Sequence, residues 1–153
     1  MLSALLLAAL AVMREGALIA ELTPRSTPLA RIRVAAEDPS ILFGFIARGE
    51  LLGTVRFPAD WTDYRGTIVP AGTYELRYAI QPRLKDHLDT SDYRDFAILS
   101  GFYEGHPRVM ALVLPDEARD GELVVPFETG GVRVGVVIRA CRSQGCRESR
   151  PSP

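Results

Sequence analysis

The chain has 153 residues, 47% hydrophobic and 24% charged, the composition of one globular domain and not of a disordered polymer. Its 18 Lys plus Arg against 19 Asp plus Glu leave a formal charge of −1. No global positive field therefore exists to draw in nucleic acid or an acidic membrane, and neither is expected as a partner.

The opening run, residues 2–13, is apolar on every side but shorter than the roughly 20 residues that cross a bilayer, so no membrane span is expected in the mature chain. Its length matches the core of a signal peptide, and Ala9-Leu10-Ala11 offers the small residues a signal peptidase accepts, although no Lys or Arg precedes it. Residues 1–14 are read as a leader directing export to the periplasm or beyond. The alternative is a first strand or helix packed in the core. Residues 17–22 form a short apolar stretch, broken by two prolines at 24 and 28. Residues 29–34 then alternate, with Ile32 and Val34 inward and Arg31 and Arg33 outward. Residues 41–46 are apolar on both faces around Gly44, as in a covered central strand, and Arg48-Gly49-Glu50 would turn this strand into residues 51–57 as a hairpin.

Residues 67–80, T-I-V-P-A-G-T-Y-E-L-R-Y-A-I, hold two period-two runs meeting at Pro70-Ala71-Gly72. Past that turn Tyr74, Leu76, Tyr78 and Ile80 face one way, the signature of a half-buried strand, and the turn chemistry suits a hairpin. A polar connection over residues 81–93 leads into the apolar run 96–99. Residues 109–114 and 123–127 follow as further strands, and Thr129-Gly130-Gly131 reverses the chain into residues 132–139. About nine short strands with regular turn signals predict an all-β fold, economically a two-sheet antiparallel β-sandwich over residues 15–140. A closed β-barrel is the alternative, because strand counting does not distinguish closure from stacking. Residues 141–153 read as a flexible tail.

Chemistry-bearing residues concentrate in residues 86–95, where four carboxylates, His87, two hydroxyls, a phenol and Arg94 gather. His87 could act as a general base oriented by Asp86, Asp89 or Asp92, giving a hydrolase. Asp89, Asp92 and Asp95 could supply oxygen ligands to calcium, although the spacing lacks the alternating acidic pattern and central glycine of a Ca²⁺ loop. The plainer alternative is a solvated loop whose polar side chains cap its own backbone, with no cofactor. Trp61 and Tyr64, with Arg65 and Arg94 nearby in rim loops, could bind a glycan or a partner protein; packed inward, the rings would instead plug an open end of the fold. Phe102 and Tyr103 admit the same two readings. In an oxidising compartment Cys141 and Cys146 could close a small disulfide loop.

The stretch Val69-Pro70-Ala71-Gly72-Thr73-Tyr74-Glu75-Leu76-Arg77 resembles the P-A-G-x-Y-x-L hairpin of exported bacterial β-sandwich modules, including transthyretin-like and carboxypeptidase-regulatory-like domains. Together with Gln81-Pro82, Asp86-His87 and Tyr93-Arg94-Asp95-Phe96, it is similar to a group of uncharacterised exported bacterial proteins. The resemblance covers about thirty residues, from Gly66 to Leu99. It implies a sandwich and export, and it carries no catalytic residue. The resulting expectation is an exported, non-enzymatic module that binds a protein or glycan through rim loops. A His/Asp or metal-dependent hydrolase and a purely structural envelope module are the alternatives.

Overall fold

The computed structural model describes residues 8–33, 38–62, 68–82, 93–100, 108–117 and 122–138. Among them the regular elements are all strands: β1 (Leu10–Arg14), β2 (Ala17–Pro24), β3 (Leu51–Phe57), β4 (Trp61–Thr62), β5 (Ile68–Val69), β6 (Gly72–Ile80), β7 (Asp95–Ser100), β8 (Arg108–Val113), β9 (Leu123–Thr129) and β10 (Val132–Ile138). Eight make one antiparallel sheet in the order β1-β2-β3-β6-β7-β8-β10-β9, while β4 and β5 pair in a small second sheet. The all-β, antiparallel expectation holds.

The large sheet curls until it nearly closes like a barrel. At the seam the Gly130 N–H donates to the Arg25 carbonyl at 2.7 Å, and the buried Thr129 hydroxyl donates to the Leu52 carbonyl. Two strands distant in the sheet order are thereby tied together. Gly130 makes this approach possible, since its φ is +52° and an added Cβ would lie 2.5 Å from Leu29 Cγ and 2.8 Å from the Thr27 carbonyl oxygen. Gly53 has a similar role on β3, where a Cβ would meet the Thr23 carbonyl oxygen at 2.4 Å.

Period-two patterning fills the interior. Tyr74, Leu76 and Tyr78 of β6, Val55 and Phe57 of β3, and Val132, Val134, Val136 and Ile138 of β10 are all buried. Each such side chain contributes about 1.5–3 kcal/mol by leaving water. The predicted reversal at 129–131 is a two-residue hairpin, with Gly130 and Gly131 at φ +52° and +85°. Glu15 and Gly16, at +50° and +80°, make the same kind of turn between β1 and β2. Both fit the primed turns whose twist matches that of the flanking strands.

Several expectations need correction. The two runs around Pro70-Ala71-Gly72 are not hairpin partners: β5 pairs β4, whereas β6 lies between β3 and β7. The turn hands the chain from one sheet to the other, braced by a Tyr74 hydroxyl bond to the Pro70 carbonyl (2.6 Å) and an Ala71 N–H bond to Asp60 Oδ1 (2.9 Å). Alternation fixes which face a strand buries but not which strand it pairs with. Residues 41–46 are likewise a strap of turns, touching residues 30–32 through a single bridge, Arg31 to Ile46, so no hairpin forms with β3. Phe43 and Ile46 are buried as expected, but Ile32, expected to face inward, is 49% exposed. The apolar opening run overlaps the sheet, since Leu10–Arg14 pairs with β2 and buries Val12. Cys141 and Cys146 lie outside the described residues. None of the described elements is a helix long and apolar enough to cross a membrane.

Candidate functional site

The most concentrated polar chemistry among the described residues sits where β6 ends and β7 begins. Register places Ile80 opposite Asp95 and Tyr78 opposite Ala97, so the inward-facing Tyr78 lies diagonally across from Asp95. Asp95 is wholly inaccessible to solvent. Its Oδ1 accepts hydrogen bonds from the Tyr78 hydroxyl (2.7 Å) and the Phe43 N–H (2.8 Å), and its Oδ2 accepts one from the Leu42 N–H (2.7 Å). Three donors thus compensate a buried charge that would otherwise be costly. They also explain why residues 41–46 make no ladder with β3, because two of their N–H groups are turned to the carboxylate.

Burial pushes the Tyr78 hydroxyl far above the usual phenol range, and the hydrogen bond and negative charge of Asp95 push it further; nearby Arg48 opposes them. Tyr78 is therefore a fixed proton donor to Asp95. It is unsuited to serve as a general base.

Arg94 completes this end of the fold. Its Nε donates to the Gln81 carbonyl at 2.8 Å and its Nη1 to Asp38 Oδ2 at 3.1 Å, while the backbones of Gln81, Arg94 and Ser40 are bonded in series. Asp38 Oδ1 in turn accepts from the Ser40 N–H (2.9 Å) and hydroxyl (2.6 Å). Arg94, expected to bind a ligand, clasps the strap of residues 38–46 to the ends of β6 and β7. Asp95, expected among calcium ligands, has both oxygens engaged by protein donors. Among the described residues no group of three or more His, Cys, Asp or Glu is placed to hold a metal ion.

At the opposite end of β3 and β6, Trp61 is half-buried and stacks on Phe57, with ring centroids 6.5 Å apart and planes inclined by 18°. Phe57 meets Tyr74 edge-on at 6.1 Å. Trp61, itself in β4, thus packs with Phe57 and Tyr74 in one aromatic cluster. Tyr64, Arg65, Asp86, His87, Asp89 and Asp92 lie outside the described residues, as do Phe102 and Tyr103.

No known protein family, curated protein or solved structure matches the chain. Its chemistry is therefore read from its own residues.

Sequence reasoning passed over Tyr78 and Asp38 as site residues. The signal for Tyr78 was present, since an inward-facing Tyr in an apolar strand needs a partner for its hydroxyl, and Asp95 opens the next apolar run. Nothing in sequence spacing placed Asp38 beside Arg94, 56 residues away.

Proposed function

We propose that the chain is an exported, non-enzymatic recognition module that binds a partner protein through the outer surface around its loops. One observation carries this reading: the candidate residues that are described, Trp61, Arg94 and Asp95, are spent on holding the fold, as packing or as hydrogen-bond partners of the backbone. With the interior filled by large side chains such as Phe57, Leu76 and Tyr78, recognition falls to the outside. Export is supported by the length of the apolar opening run, whose end pairs in β1, and by the sequence likeness of the P-A-G-x-Y-x-L stretch to exported modules, although that stretch forms no hairpin here.

Two measurements test the reading together. The purified chain, wild type and His87→Ala, is assayed with chromogenic esters, phosphoesters and glycosides, with and without calcium, and probed on a glycan array. It is also cross-linked in its native host, and the adducts are identified by mass spectrometry after fractionation and N-terminal sequencing. A reproducible protein adduct in the exported fraction, without turnover, is expected. Turnover abolished by His87→Ala would replace recognition with catalysis, and a glycan signal lost in Trp61→Ala would replace the protein partner with a glycan.

A further inference from the structure

Residues 30–32 meet the strap at an isolated antiparallel bridge and, among the described residues, bond through only one of their two backbone edges. The Ile32 N–H donates to the Phe45 carbonyl at 2.8 Å, and the Ala47 N–H donates to the Ala30 carbonyl at 3.0 Å. Arg31 stands opposite Ile46 between these two bonds, so its own N–H and C=O point away from the strap. Neither group takes a backbone partner among the described residues, and residues 30–33 are all exposed. This is a short, open strand edge of the kind that accepts an added strand.

Its side chains specify the visitor. The Arg31 guanidinium lies 5.5 Å from the centroid of the Phe45 ring, a cation–π contact that holds its planar fork in place while leaving it exposed. Arg33 follows two residues on, the spacing at which side chains of an extended chain take the same side. Neither arginine has an ion pair among the described residues, whereas Arg25, Arg56, Arg77 and Arg94 are paired with Glu50, Glu21, Glu75 and Asp38. Arg133, also exposed, faces Glu128 across the β9–β10 ladder and is not counted with them. Carboxylates on alternate residues of an extended peptide repeat at the same spacing of roughly 7 Å as Arg31 and Arg33.

We infer that residues 30–33 receive an extended acidic segment of the partner protein, which adds as a strand at Arg31 and pairs alternate carboxylates with Arg31 and Arg33. The inference rests on the recognition reading above and names where and what the module recognises.

The probe is a synthetic peptide of alternating Glu and Val, with a Lys-Val peptide, inorganic phosphate and phosphatidylglycerol vesicles as comparisons. The Glu-Val peptide should bind the full chain and weaken with added salt. It should bind Arg31→Gln/Arg33→Gln at least about tenfold less tightly, and it should slow amide hydrogen exchange at Arg31. Arg33→Gln alone, which leaves the Phe45 stack in place, should show part of the loss, with unchanged circular dichroism. Failure of the peptide to bind, equal binding by the double variant, binding without protection at Arg31, or preference for phosphate or vesicles would each overturn the inference. A cross-linked host partner that persists undiminished in the double variant would also overturn it while leaving the recognition reading intact.

Discussion

The Tyr78 hydroxyl donates to Asp95 Oδ1 at 2.7 Å, stitching β6 to β7 on the inner face of the sheet while the same carboxylate caps the N–H groups of Leu42 and Phe43. One buried charge thus fixes two strands and the strap that crosses them. Asp95→Ala would strand two buried donors and a part-buried one, and should destabilise the fold by about 3 kcal/mol or more. Asp95→Asn should also destabilise it, because its amide turns a donor toward donors. Tyr78→Phe, which removes a single hydroxyl, should cost about 1–2 kcal/mol. Urea titration of the three variants checks the order, and an Asp95→Ala protein as stable as wild type would remove the carboxylate from this role.

The same contact predicts a pH dependence. Tyr78 holds its proton in the native state at pH values where the unfolded chain, with a phenol pKa of roughly 10, has begun to release it. The native state then binds more protons, so stability falls as pH rises. This contribution is fully present below about pH 10 and is lost progressively above it. Denaturation midpoints of wild type and Tyr78→Phe should run parallel below that pH, with the wild type falling more steeply above it. Parallel curves throughout would contradict the assignment.

Trp61 is the single tryptophan, so its fluorescence reports on the aromatic end alone. Its ring lies on Phe57, and Trp61→Ala should cost about 2 kcal/mol, less than a fully buried ring would, because the side chain is only half-buried. A thermal melt followed by circular dichroism checks the value. The wild-type emission should shift to longer wavelength in the same transition, showing that the β4–β5 end unfolds with the large sheet.

The seam offers a third test of the fold. Thr129→Val removes the hydroxyl donor to the Leu52 carbonyl and should cost about 1–2 kcal/mol. Gly130→Ala places a methyl against Leu29 in a left-handed backbone and should cost about 2 kcal/mol or more. Hydrogen exchange should accelerate first at the Gly130 N–H, which bonds the Arg25 carbonyl. Exchange that stays slow there in both variants would mean that the two ends are joined by other contacts.

Residues 74, 76 and 78 show how far the sequence could be read. Their alternation with Thr73, Glu75 and Arg77 announces a strand and its buried face, because side chains of an extended chain take opposite sides in turn. The Gly-Gly turn at 130–131 is legible for an equally local reason, since φ values above zero favour glycine. Residues 41–46 mark the limit. Their apolar run looks like a strand, yet Leu42 and Phe43 give their N–H groups to Asp95, more than 50 residues away.

The sequence by itself determined the all-β class, most strand positions and most of the inward-facing side chains, all of which follow from local backbone geometry and a period of two. Only the tertiary structure decided which strands are neighbours, that the sheet curls to a seam at Thr129 and Gly130, and that Arg94 and Asp95 clasp the strap while Arg31 and Arg33 have no ion pair among the described residues. Those outcomes depend on hydrogen bonds and charge pairs between distant segments, whose geometry exists only once the chain has closed around its core.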